Sequence, residues 1–106
     1  MPQSETTKIG PGVLPTLQAR GAAQVVVALN EPTASPMSDR RATIARLQQE
    51  LLADVEPHGF RQRQLFVAVP AIAGTVLSEK ALRALAAHHL VRRIDLDMGG
   101  GGTVVR

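Results

Sequence analysis

Two acidic residues near the C-terminus, Asp95 and Asp97 in the segment VRRIDLD, are spaced so that they could act together. In an extended strand, side chains two residues apart point to the same side of a sheet. Paired carboxylates at such a spacing can perform acid–base chemistry of the kind that glycosidases use. A catalytic pair also needs a pocket and supporting groups, and a domain of this size offers a shallow sheet surface with no third catalytic group nearby. A charged, solvated edge strand and a binding surface are the other interpretations of the pair.

The three histidines, His58, His88 and His89, are residues of a type that binds zinc. The pattern places His58 after one predicted helix and the other two at the end of a second helix. If these helices run antiparallel, the histidines lie at opposite ends of the domain, and neighbours on a helix point in different directions. We therefore predict no metal site and no cofactor, with each histidine at a helix C-terminus where the dipole favours a cation.

Four consecutive glycines, residues 99–102, could suggest a phosphate-binding loop. Such a loop needs Gly-Lys-Ser or Gly-Lys-Thr leading into a helix, whereas Thr103, Val104, Val105 and Arg106 follow here. The glycines are more typical of a flexible linker. Because the chain also has no recognisable nucleophile triad and no dinucleotide fingerprint, we predict that it is not an enzyme and has no catalytic residues. A binding module remains.

Length and composition predict one small domain. The chain has 106 residues, 12 Lys and Arg against 9 Asp and Glu, and a net charge of +3. It has no cysteine, so no disulfide supports the fold. The weak charge excess and the presence of only two aromatic residues, Phe60 and Phe66, argue against nucleic-acid binding.

The chain shows no sign of membrane insertion or of a secretory leader. No run approaches the roughly 20 apolar residues of a membrane helix, and the opening residues have no apolar signal region. We expect no membrane contact. The location stays open, since the chain either works inside the cell or is a piece of a longer, secreted precursor.

Hydrophobic periodicity and turn residues predict the order β, α, β, β, α, β. Residues 1–22, rich in Pro, Gly, Ser and Thr, are predicted to be a flexible arm, residues 23–98 a domain, and residues 99–106 a flexible tail. The predicted strands cover residues 23–30, 60–69, 71–77 and 91–97, and the predicted helices begin at Ser38 and Ser78 and extend to about residues 56 and 88. Pro57 with Gly59 is expected to end the first helix.

This order predicts an α+β domain with a ferredoxin-like βαββαβ plait, in which two helices cover one face of a four-stranded antiparallel sheet. The other sheet face stays open. In the last strand the alternation directs Ile94 and Leu96 to the helices. The opposite set should lie on the open face and consists of Val91, Arg93, Asp95 and Asp97.

The assembled pattern resembles the propeptide domain of subtilisin-like serine proteases and the related free-standing propeptide-like inhibitors. The segments that carry the resemblance are VVVALN, GFRQRQLFVAVPAIAGTVL, LSEKALRALAAHHLVRRIDLD and the tail after Asp97. It covers residues 23–98, and its most specific part is a leucine-rich helix, a short break and Val-x-x-Ile-Asp-x-Asp. The chain departs from the family in a longer, glycine-rich tail and in Ile72, which stands where the family commonly has an aromatic residue.

The resemblance implies a partner, a subtilisin-like serine protease, and a role as its intramolecular chaperone, its inhibitor or both. It implies that the open sheet face, with Arg93, packs on two parallel helices of the protease and that Asp95 and Asp97 accept hydrogen bonds from the helix N-termini. It also implies that the tail enters the substrate cleft. Its contact residues there would be Thr103, Val104, Val105 and Arg106. A small regulatory or dimerisation module of the same plait is the alternative.

Overall fold

The computed structural model describes residues 8–30 and 37–97. Within that part of the chain we number the elements in order. The helices are α1 (Val13–Arg20), α2 (Met37–Gly59) and α3 (Glu79–Ala87), and the strands are β1 (Ala23–Leu29), β2 (Phe60–Leu65), β3 (Ala71–Val76) and β4 (Val91–Leu96).

The four strands form one sheet in the order β2-β3-β1-β4, and every neighbouring pair is antiparallel. Strands β1 and β3 are central because each pairs on both sides. From β1 onward the chain follows the βαββαβ order, so the predicted ferredoxin-like α+β fold is confirmed.

The core lies between one sheet face and the helices. In β1, Val25, Val27 and Leu29 are fully buried while the residues between them are more exposed, as the alternation of a strand requires. They form a single apolar cluster with residues from every helix, including Leu17, Leu51 and Leu85. Each large apolar side chain that is fully buried favours the fold by roughly 1.5–3 kcal/mol relative to an exposed one.

Helix α3 begins as predicted. The Ser78 hydroxyl accepts a hydrogen bond from the backbone N–H of Ala81 (3.0 Å) and donates one to the carbonyl of His58 (2.7 Å). The first bond satisfies a helix-end donor that has no partner within the helix. The second ties the start of α3 to the end of α2.

Helix α2 extends beyond the predicted end. Pro57 lies inside its last turn and the helix ends at Gly59, where φ is 118°. Pro57 cannot donate a helical hydrogen bond, and the helix ends two residues after it. The predicted cap Ser38 falls inside the helix, which begins at Met37.

Helix α1 corrects the prediction that residues 1–22 form a flexible arm, since residues 8–22 belong to the domain. The helix is bounded by Gly12 and Gly21, both with positive φ, and Pro15 lies in its first turn, where a missing N–H costs little. Val13 and Leu17 point into the core. Residues 1–7 lie outside the described part.

The segment before α1 runs along the outer edge of β4. Ile9 forms a parallel bridge with Ile94, and the Gly10 N–H donates to the Ile94 carbonyl at 2.6 Å.

At the opposite edge of the sheet, β2 is shorter than the predicted strand, which reached residue 69. Residues 66–70 form a loop instead.

No helix within residues 8–30 and 37–97 combines the length and the apolar character that a membrane crossing requires.

Candidate protein-binding site

The open face of the sheet has a floor of small side chains. The β1–β3 register places Val26 opposite Ala73 and Ala28 opposite Ala71 on the face away from the core, with Gln24 opposite Thr75 at one end. The residues that alternate with them, Val25, Val27 and Ile72, point into the apolar cluster under the helices. The floor therefore lies between two outer strands that carry long, charged side chains.

Asp95 lies on this face at the β4 edge, as predicted from the alternation. It pairs with Val26 across the strands, and the Arg93 Nε donates to both of its carboxylate oxygens at 3.0 and 2.9 Å. Its side chain is 46% exposed. Gly10 lies beside it, and a Cβ at that position would displace the Asp95 carboxylate and lie 3.0 Å from the Ile94 carbonyl oxygen. No sequence pattern predicted this neighbour.

Asp97 is held by an arginine from the opposite edge of the sheet. Its backbone N–H donates to the Gln24 carbonyl at 2.8 Å, which places it beside the beginning of β1. Arg63 Nη1 donates to Asp97 Oδ2 at 3.1 Å, and the Asp97 side chain is only 18% exposed. Because the helix side of the sheet is filled by the core, this bridge passes over the open face from β2 to the end of β4.

A bulge places Arg63 in this position. In the β2–β3 pair the register shifts between Gln62 and Gln64, so Arg63 has no opposing residue on β3. A bulge of this kind bends a strand and redirects one side chain. The predicted strand 60–69 includes Arg63, but no sequence pattern predicted its partner.

Replacing Arg63 by glutamine is expected to lower the free energy of unfolding by about 1 kcal/mol or less, since the Arg63 side chain is 45% exposed and solvent screens the pair from that side. Urea denaturation at low and high salt measures this, with Arg61→Gln on the same strand as the matched control. The difference between the two variants should shrink at high salt, where surface charges are screened. A loss well above this range, insensitive to salt, would mean that Arg63 is a packing residue.

A second bulge corrects one position of β4. The register with β1 shifts between Ala28 and Leu29, which face Arg93 and Val91 respectively, so Arg92 is the extra residue. Val91 is therefore buried on the helix side, whereas the alternation had placed it with Arg93 on the open face. Ile94 is buried and Leu96 packs against the core cluster, as predicted.

The histidines lie at the two ends of α3. The His58 carbonyl accepts a hydrogen bond from Ser78 at the start of α3, and His88 is the C-cap residue at its other end. His88 Nε2 lies 2.7 Å from Asp54 Oδ2, and its Nδ1 accepts the Leu90 N–H at 3.2 Å, so the proton of a neutral ring is on Nε2. Among the described residues, no group of three or more His, Cys, Asp or Glu side chains could hold a metal ion.

Helix α1 adds a wall to the site that the sequence did not predict. A cleft of about 610 Å³ opens between α1 and the end of the sheet where Asp97 lies. Thr16 and Arg20 line it from the helix, and Gln24, Thr75 and Leu96 line it from the strands. The predicted contact residues Thr103, Val104, Val105 and Arg106, like the glycine run, lie outside the described residues.

Comparisons of the chain with protein-family models, with curated proteins and with solved structures returned no match.

Proposed function

We propose that this chain is a propeptide-like domain that binds a subtilisin-like serine protease through the open face of its sheet, as inhibitor, intramolecular chaperone or both. The observation that carries the proposal is the pair Asp95 and Asp97, which stand on the uncovered sheet face at the end of the last strand. The resemblance of residues 23–98 to such propeptides supplies the class of partner.

The dimensions of the face suit two helices. Four strands about 4.8 Å apart make a face roughly 19 Å wide, and two packed helices have axes about 8–10 Å apart. Ala28, Ala71 and Ala73 have small side chains. Ala71 and Ala73 are already buried in the free chain, so the longer side chains above them must move aside before a helix surface can approach. The taller residues on β2 and β4 would border the helix pair on both sides.

The charges of the face suit helix N-termini. A helix N-terminus offers unpaired N–H donors and partial positive charge, and a carboxylate there contributes about 0.3–2 kcal/mol. In the free chain Asp95 and Asp97 are held by Arg93 and Arg63. The Arg93–Asp95 bridge is half exposed, and a bridge of this kind is worth up to about 1 kcal/mol, so a partner's donors can replace it. At the more buried Asp97, the donors would take the place of Arg63, whose side chain is itself half exposed.

The position of Asp97 is also consistent with a role for the tail. The chain leaves the sheet beside the beginning of β1, next to the proposed contact residues. In the propeptides that the sequence resembles, the tail continues into the substrate cleft. We assign Thr103, Val104, Val105 and Arg106 to that cleft as part of the same proposal.

Purified chain is expected to inhibit at least one subtilisin-like protease encoded in the source genome at micromolar concentration or below. Initial rates of peptide hydrolysis at increasing chain concentration measure this. Active trypsin-like and cysteine proteases serve as controls and should not be inhibited. Refolding of the denatured protease with and without the chain tests the chaperone role separately. Absence of both effects across these proteases would refute the proposal.

A dimerisation module is the second candidate, and the charge distribution favours it. The β2 edge carries Arg61 and Arg63, while the β4 end carries Asp95 and Asp97. Two copies related by an axis parallel to the strands would place Arg61 and Arg63 of one over Asp95 and Asp97 of the other, where they would compete with the Arg93–Asp95 and Arg63–Asp97 pairs within each copy. Analytical ultracentrifugation distinguishes the candidates, since a tight dimer through this face would exclude a protease.

A further inference from the structure

The loop between β2 and β3, residues 66–70, holds two valines in solvent, and we call it the valine loop. Val67 is 69% exposed and Val69 is 50% exposed. In the described part of the chain no other large apolar side chain is as exposed, since Leu77 is 45% and Leu14 38% exposed. Exposed apolar residues that lie together often mark an interaction surface.

The valine loop is fixed by a side chain from the core. Gln48 of α2 is 3% exposed, and its Nε2 donates to the carbonyls of Phe66 (2.8 Å) and Ala71 (2.9 Å), one at each end of the loop. The Leu29 N–H also donates to the Pro70 carbonyl at 2.8 Å. The two valines are therefore presented on a clamped backbone.

A loop that only connects two strands does not need the two hydrogen bonds from Gln48. Antiparallel strands are commonly joined by short loops that close through their own backbone bonds. A buried amide destabilises a core unless its polar atoms are paired. Gln48 is nevertheless the one buried polar side chain in the described core, and both hydrogen bonds donated by its Nε2 go to this loop. A loop shaped before binding loses less conformational entropy when a partner arrives.

The open sheet face alone is too small for a complete protein interface. Strands of six residues at about 3.3 Å each give a face roughly 20 Å long and 19 Å wide, or about 400 Å². A specific protein interface buries about 800 Å² on each side. A partner seated on the open face must therefore extend past its margins, and the valine loop lies at one of them, directly before Ala71 and at the opposite end from Asp97.

We propose that the valine loop is an apolar anchor for the protease that occupies the open sheet face, an inference that rests on the proposed function. Its two valines would fill a shallow apolar patch beside the protease helices, while Asp95 and Asp97 receive the helix N-termini. Contacts at both ends of the strands would fix the direction in which the partner lies.

The test is the variant Val67→Thr/Val69→Thr, which keeps both side chains β-branched and equal in size while making them polar. We expect inhibition of the protease to weaken about ten-fold, as for the loss of two partly buried apolar side chains at an interface. The control Leu14→Gln changes an exposed apolar residue on α1 and should alter inhibition less than two-fold. Urea denaturation checks that the midpoint of unfolding stays the same in both variants.

The outcomes separate the two proposals. Inhibition by the wild-type chain that is equally strong in the threonine variant would overturn the anchor and leave the proposed function standing. Equal weakening by Leu14→Gln would also overturn it. If the wild-type chain neither inhibits nor assists folding of these proteases, the proposed function fails and the anchor fails with it.

Discussion

Changing Asp95 and Asp97 together to asparagine is expected to weaken inhibition of a subtilisin-like protease by about 10- to 100-fold. Each carboxylate at a helix N-terminus contributes about 0.3–2 kcal/mol, and 1.4 kcal/mol corresponds to a factor of ten in affinity. Asparagine keeps the size and one acceptor oxygen, so the change removes charge with little change in shape. The inhibition constant, measured at low and moderate salt, reports the effect.

The matched control is Glu56→Gln, which neutralises an exposed acid on α2, on the other side of the domain. It should change inhibition less than two-fold. Because asparagine keeps the shape of both side chains and the Arg93 and Arg63 partners are about half exposed, the double variant should remain folded. If it inhibits as strongly as the wild-type chain, the two acids do not meet helix N-termini, and the protease would have to bind another surface.

Changing Leu17 to alanine is expected to lower the free energy of unfolding by roughly 2–4 kcal/mol, as for other large-to-small changes in a core. Leu17 is 3% exposed and belongs to the main apolar cluster. The measurement is urea denaturation followed by circular dichroism. For a domain of this size, a loss of that magnitude is a large part of the total stability.

Leu14→Ala provides the comparison within the same helix. Leu14 is 38% exposed, so its truncation should lower the free energy of unfolding by less than about 1 kcal/mol. Equal and negligible effects of the two changes would show that α1 does not pack on the domain, and the sequence-based expectation of a flexible arm would then hold for residues 8–22 as well.

Strong local patterns account for what the sequence predicted correctly. The β-branched run of β1 and the apolar stripe of α3 each fit one period, and Ser78 marks a helix start through a bond that forms within three residues. Such signals depend on neighbouring residues only. They are sufficient for the order of the elements, and that order leaves few ways to arrange the sheet.

Helix α1 escaped prediction because its local signal is weak. It has eight residues, a proline in its first turn and glycine at both ends, and only Val13 and Leu17 face the core. A helix this short is not stable alone, so its existence depends on packing against β1, β4 and α3. Packing partners distant in sequence cannot be read from a periodic pattern.

The site was predicted in part for a related reason. The strand alternation placed Asp95 correctly on the open face but misplaced Val91, because the bulge at Arg92 shifts the register between Val91 and Arg93. The partner of Asp97 was missed because Arg63 lies in a second bulge on a strand at the far side of the sheet. Both errors come from treating a strand as an uninterrupted alternation.

The segment before α1, in which Ile9 pairs with Ile94 of β4, affects how molecules of this protein can associate. An uncovered edge strand presents unpaired backbone groups onto which another chain can add, and the central strand VVVAL is of the composition that favours such growth. At β4 the bridge and the Gly10 hydrogen bond use part of this edge. At β2 the run Arg61, Gln62, Arg63, Gln64 is exposed and interrupted by a bulge. Part of the β4 edge and the interrupted β2 edge are thereby protected against edge-to-edge aggregation, so association through the open face does not have to compete with strand addition there.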